Sequence, residues 1–168
     1  MGAMIGASVL GKPHAPLLAA IALFAVAGCS TGDGVAGRQA AMDTGDAERR
    51  VAAADWSRAE TVTVALSEYS ITPATLAFRP GQPYRLRIEN KGTRTHNFTS
   101  GGFFKAIAVQ KLRSGNRETV SPRLETVEVT PGEVKDLYFV AVTSGGYALE
   151  CSVFLHATFG MEGEIVVR

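Results

Sequence analysis

The sequence predicts an all-β domain, an antiparallel sandwich or barrel, and three observations predict it. From about residue 58 onward, apolar and polar residues alternate with a period of two. The alternating runs are short, and Pro/Gly turn signals separate them. The stretch is about 110 residues long, enough for one sandwich with a single core. The whole chain has 168 residues, 46% hydrophobic and 20% charged, with 18 Gly and 7 Pro. Seventeen Lys/Arg face sixteen Asp/Glu, so a net charge of +1 leaves no electrostatic footprint for nucleic acid. Two cysteines exclude a disulfide-dense scaffold and a four-thiolate metal site.

Taken in order, the first element is an address. Lys12 and His14 precede an uncharged apolar stretch over residues 15–28. A membrane span needs about twenty apolar residues, so fourteen fit a signal-peptide core better. The stretch ends Val26-Ala27-Gly28-Cys29, which resembles the lipobox of bacterial lipoproteins. That resemblance implies cleavage before Cys29 and lipidation of its thiol, with Cys151 left as the remaining thiol. An uncleaved anchor, or a secretory signal with a stray cysteine, is the alternative. Residues 1–28 are thus expected to be a lipoprotein signal and residues 29–58 a flexible tether, with a brief helix near residues 47–54. The tether contains Gly32-Asp33-Gly34-Val35-Ala36-Gly37, a G-x-G-x-x-G run. A dinucleotide site needs a strand before that run and a helix after it. Here it follows the lipid attachment site, so it is read as tether.

The predicted domain covers residues 59–168. Val62, Val64 and Leu66 alternate with Thr61, Thr63 and Ala65, and Tyr84, Leu86 and Ile88 alternate with Arg85, Arg87 and Glu89. Tyr147, Leu149 and Cys151 share one face near the end, and Ile165 and Val167 repeat the scheme. Turns fall at Thr72-Pro73, Arg79-Pro80-Gly81, Asn90-Lys91-Gly92, Thr130-Pro131-Gly132 and Ser144-Gly145-Gly146. Residues 103–113 depart from this pattern. Phe104, Ile107, Ala108 and Lys111 have helical spacing, which predicts a short helix or flap between strands.

The chemistry lies in one loop between two predicted strands. Cys151, His156 and Met161 fall five residues apart, as C-x4-H-x4-M. A thiolate, an imidazole and a thioether together suit copper, with methionine as a weak axial ligand. Zinc sites seldom use methionine. A second imidazole is needed, and His96 is the one other histidine after residue 58. Taken singly, each residue has an ordinary alternative: Cys151 as core packing, Met161 as a gap-filler, His96 as a turn residue. Chance placement of His and Met at both spacings is roughly one in six thousand, which favours a metal site.

At these residues the sequence resembles the cupredoxin family of type 1 (blue) copper proteins, its ligand loop being similar to those of rusticyanin and auracyanin. The resemblance covers about residues 60–168 and is strongest around Lys91 to Phe98 and Tyr147 to Val167. It implies a cupredoxin-like Greek-key β-sandwich holding one type 1 copper ion. His96, Cys151 and His156 would be equatorial ligands and Met161 the axial one. Asn97 would offer its backbone N–H to the cysteine sulfur and tie the two ligand segments together by its side chain. The second histidine, His156, would turn its edge towards solvent. Many relatives carry Pro-Gly before that histidine, where this chain has Phe154-Leu155.

Other signals are weaker. Asn97-Phe98-Thr99 spells a glycosylation sequon, but an export signal of bacterial type and a neighbouring ligand argue against its use. No Ser/His arrangement places a nucleophile beside a base and an acid. Metal catalysis needs an open coordination position, which a four-ligand site lacks. The expectation is a non-enzymatic, monomeric electron carrier, exported and anchored to the cell envelope on the periplasmic face or outer surface. Its partner would be a redox protein such as a cytochrome or oxidase, its only membrane contact the lipid. The alternative is a copper-binding module that delivers or buffers copper for an oxidase or export system.

Overall fold

The structure is a computed structural model and describes residues 43–120 and 123–168. Eleven strands among these residues form two sheets. The first sheet has six strands: β1 (Glu60–Ser67), β2 (Ser70–Thr72), β4 (Pro83–Asn90), β6 (Ile107–Ser114), β7 (Arg117–Thr119) and β9 (Val134–Ala141), in the order β2-β1-β4-β9-β6-β7. The second has five: β3 (Thr75–Phe78), β5 (His96–Thr99), β8 (Thr126–Val129), β10 (Gly145–Glu150) and β11 (Glu162–Val167), in the order β3-β11-β10-β5-β8. The expected all-β sandwich is present. Two pairings differ from a purely antiparallel scheme: β1 with β4 and β3 with β11 run parallel.

Alternation decides which residues meet between the sheets. Val64, Leu66, Leu86, Ile88, Leu137 and Phe139 point inward from the first sheet and are buried. From the second come Leu76, Phe78, Phe98, Leu149, Ile165 and Val167. An aromatic knot of Phe78, Tyr84, Phe103 and Phe139 fills the end of the core away from the ligand loop, with centroids 4.8–5.7 Å apart. Tyr84 keeps its polar end satisfied by accepting the Arg79 N–H at 2.9 Å. On the outer face of the first sheet, buried Asp136 draws in Arg85 and Arg113 at 2.8 and 3.2 Å.

Two expectations are corrected. Helical spacing over 103–113 pointed to a helix or flap, but the helix α2 is confined to Gly101–Lys105, and β6 begins at Ile107. Ile107, Ala108 and Val109 are all buried, so the run is apolar on both faces and mimics a helical stripe. Pairing with β9 then decides the conformation, with a bulge between Val109 and Lys111. The second concerns the extent of the brief helix expected near residues 47–54 of the tether, which is present and begins three residues earlier. Within residues 29–58, Thr44–Ala53 form a three-turn helix, α1, that packs against β6 and β9. The Trp56 indole donates to the Val51 carbonyl at 3.0 Å and fastens the helix end. The signal stretch, Cys29 and the G-x-G-x-x-G run lie outside the described residues.

Candidate metal centre

Three of the four sequence-predicted ligands arrive on or beside strand ends, where paired backbone fixes them. His96 opens β5, Cys151 follows β10 directly, and Met161 immediately precedes β11. His156 lies between, just before a single 3-10 turn over Ala157–Phe159. The loop ties itself together through its own ligands. Cys151 N–H donates to the Met161 carbonyl, Met161 N–H to the His156 carbonyl, and His156 N–H to the Val153 carbonyl, each at 3.0 Å. Gly160, at φ 95°, supplies the left-handed turn that returns the chain to β11. Leu155 also takes a left-handed conformation, at φ 66°, immediately before His156. Glycine adopts that conformation freely, whereas a leucine there costs roughly 1–2 kcal/mol.

The donor atoms converge. His96 Nδ1 and His156 Nδ1 lie 3.2 Å apart, and Cys151 Sγ is 3.9 Å from the first and 3.5 Å from the second. A point equidistant from the three lies about 2.1 Å from each. Metal–nitrogen bonds are about 2.0–2.1 Å and metal–thiolate bonds about 2.3 Å, so the triangle accepts a first-row ion with little movement. His96, Cys151 and Met161 are fully buried and His156 is 6% exposed. Burial pushes the His96 imidazole below its ordinary pKa, and the neighbouring His156 adds to this while Glu68 opposes it. Neutral imidazole is the form that ligates metal. These residues fit the metal that the sequence implies.

Asn97 bridges the two ligand segments. Its backbone N–H points at Cys151 Sγ from 3.4 Å, and its side chain donates to Ser152 Oγ at 2.9 Å. Such a bond stabilises a thiolate and fixes the sulfur lone pairs. His156 differs from expectation: its ring is covered by Tyr69, edge-on at a centroid distance of 5.6 Å. Around it the surface is apolar. Tyr69, Phe154, Leu155 and Phe159 are 49%, 85%, 44% and 59% exposed.

Three residues that organise the centre have no local signature in the sequence. Buried Asn90 donates to the Arg94 and Val129 carbonyls and accepts from Gly92 N–H, which shapes the loop leading to His96. Glu68 accepts the N–H groups of Thr93 and Arg94, and Tyr69 reaches His156. Glu68 and Tyr69 lie more than twenty residues from any ligand in the chain, so only the fold could reveal them.

The family described as multicopper oxidase matches residues 39–168. The chain belongs to that family. As a family member with a buried two-imidazole, one-thiol donor group, the protein has copper as its cofactor. Among solved structures it is similar to a multicopper oxidase from Pseudomonas thermotolerans, at 22% identity and a TM-score of 0.55. It is also similar to the Campylobacter jejuni multicopper oxidase, described as a metallo-oxidase, at 16% identity and a TM-score of 0.51. In both cases the match covers 68% of this chain and 31% of the other, so the chain spans about a third of the length of those oxidases. Auracyanin from Roseiflexus castenholzii, in its dithionite-reduced form, matches at 18% identity and a TM-score of 0.48, over 66% of this chain and 98% of that one. At these identities the likeness to the oxidases is one of fold, a cupredoxin-like sandwich. No curated protein matches the sequence.

Proposed function

We propose that the protein is a one-electron carrier with a mononuclear type 1 copper site, which His96, Cys151 and His156 would hold together with the weaker thioether of Met161. The observation that carries this reading is the buried triangle of two imidazole Nδ1 atoms and one thiol, set directly under an apolar surface. Bound copper supplies a Cu(I)/Cu(II) couple. The chain's own contribution is rigidity. Cys151, His156 and Met161 are joined by short backbone hydrogen bonds, and His96 is held in β5, so the donors keep their places in either oxidation state. The Asn97 N–H stabilises negative charge on the sulfur. A route for the electron runs from His156 outward through Tyr69 and Phe159, which touch each other edge-on at 5.2 Å.

A catalytic role is disfavoured by the donor inventory. The matched region, residues 39–168, holds two histidines, and both belong to the triangle. A second copper centre for oxygen or nitrite chemistry would need further imidazoles. We also propose export and lipid anchoring through Cys29, tested by loss of membrane partitioning in Cys29→Ser.

The deciding experiment is a visible spectrum and voltammogram of the copper-loaded full chain. Intense red-region absorption from thiolate-to-copper charge transfer is expected, with reversible cycling and no copper loss. Cys151→Ser should abolish the colour even where some copper stays bound. A colourless Cu(II) form of the unmodified protein would remove the type 1 assignment, and transfer of copper to an acceptor protein in place of cycling would favour delivery.

A further inference from the structure

The turn between β1 and β2 has two central residues, Glu68 and Tyr69, and each faces a different ligand histidine on the side away from the donor triangle. The turn is pinned by a 2.7 Å contact between the Ser67 and Ser70 hydroxyls. Glu68 Oε1 accepts the Thr93 N–H at 2.7 Å, the Thr93 hydroxyl at 3.1 Å and the Arg94 N–H at 3.0 Å. That fixes the carboxylate against the loop before His96. The same oxygen stands 3.7 Å from His96 Nε2, too long for a hydrogen bond but close enough for its charge to favour a proton on that nitrogen. His96 Nε2 is buried and has no hydrogen-bond partner among the described residues. A buried imidazole N–H normally finds an acceptor, and this carboxylate is the group that faces it. No further side chain fits between them: a Cβ on Gly92 would stand 2.7–2.9 Å from both carboxylate oxygens and from His96 Nε2.

Tyr69 completes the arrangement. Its backbone is left-handed, at φ 62°, in a turn position where Gly or Asn is the ordinary occupant. A bulky residue persists there only when its surroundings hold it. The surroundings are His156 and Phe159, against which the ring packs edge-on.

Resting on the copper-site reading above, we propose that Glu68 and Tyr69 are positioning residues that clasp the two histidine ligands from outside. The carboxylate favours the His96 tautomer with its proton on Nε2, which leaves the Nδ1 lone pair directed into the triangle. The Tyr69 ring blocks rotation of the His156 imidazole, so its Nδ1 keeps the same direction before metal arrives. The pocket is therefore set in the metal-free protein and need not be assembled by copper. Metal-ligating histidines commonly have a partner on their second nitrogen, and losing it weakens binding roughly tenfold to a hundredfold. Here one tight turn serves both histidines.

The test uses the full chain, first without metal. Nitrogen-resolved NMR of the imidazoles should show His96 as a single Nε2–H tautomer in the unmodified protein and a mixture in Glu68→Ala. Glu68→Gln preserves the shape and an acceptor for Thr93 and Arg94, which separates the loop-bracing role from the effect on His96. Competition with a Cu(I) chelator should then give roughly tenfold to a hundredfold weaker binding for Glu68→Ala, with Glu68→Gln in between. Tyr69→Asn keeps a left-handed turn but removes the ring, and should broaden the His156 signals and weaken binding by about two- to tenfold. An unchanged His96 tautomer together with Cu(I) affinity within twofold of the unmodified protein would overturn the clasp. If the unmodified protein binds no copper while the tautomer still responds to Glu68, the copper-site reading fails and the positioning contact stands.

Discussion

At the scale of single residues the proposed centre would combine strong and weak donors. Cys151 and the two imidazoles form the short triangle, while Met161 is buried beside them and bound into the loop through its backbone. In the proposed copper site its thioether would donate weakly, and what it donated would favour Cu(II) over Cu(I). Met161→Leu is nearly isosteric, so the fully buried site should close around it at a cost below about 1.5 kcal/mol. The variant should keep copper and colour, and voltammetry should find its reduction potential raised. Loss of copper from Met161→Leu while His96→Ala retained it would reverse the ligand roles. The type and spacing of these four residues were legible in the sequence because three lie in one loop, and loops of ten residues preserve spacing as proximity. His96 was found by elimination, since only one other imidazole follows residue 58. Glu68 and Tyr69 were not legible. A glutamate and a tyrosine in a polar turn carry no signal until the parallel pairing of β1 with β4 brings that turn beside His96.

At the scale of elements, alternation was a reliable guide where one face of a strand is polar. It gave β1, β4, β10 and β11, whose outward residues include Thr, Arg and Glu. It misled at β6, which packs against α1 as well as the core. The β8–β9 turn shows how a polar connection adds stability. Glu133 accepts from the Thr130 N–H and hydroxyl, both at 2.9 Å, and from the Ser114 hydroxyl at the end of β6. Partial burial pushes its pKa up, but the bonds from Ser114 and Thr130 outweigh that and draw it down to about 2 from an ordinary 4.5. Above about pH 4.5 both folded and unfolded chains carry the charge, and the full stabilisation is present. Between 4.5 and 2 the unfolded chain takes up a proton that the folded chain refuses, so stability falls with pH. Glu133→Gln should cost about 1–2 kcal/mol at pH 7 and flatten that acid slope, as read from urea midpoints of the metal-free protein between pH 2 and 6. Parallel curves for the two proteins would show that the turn contributes nothing through its charge.

At the scale of the whole molecule the donor triangle sits at one end of the sandwich, opposite the aromatic knot, and that end is unusually apolar. Phe154, Leu155, Phe159 and Tyr69 surround His156, and two of the four hold left-handed backbones that side chains ordinarily avoid. Backbone strain of this kind clusters at functional sites. Charge gives little guidance to a partner: residues 59–168 carry twelve basic and eleven acidic side chains, so long-range steering is weak. Under the proposed electron-carrier reading, recognition would fall to the patch, which suits a brief encounter of small area with another redox protein. Two substitutions at Leu155 separate strain from docking. Leu155→Gly should relieve the left-handed backbone and raise stability by up to about 1 kcal/mol, visible as a higher urea midpoint. Leu155→Lys keeps the strain and places a charge at the centre of the patch, where desolvating it opposes docking. Stopped-flow electron exchange between the copper-loaded protein and a redox partner, or between its own oxidised and reduced forms, should slow several-fold in Leu155→Lys. Colour and potential should stay near those of the unmodified protein, because Leu155 is 44% exposed and is not itself a proposed ligand. Exchange rates unchanged by the lysine would mean that electrons leave by another face, and the covering of His156 by Tyr69 would then be read as protection of the ligand alone.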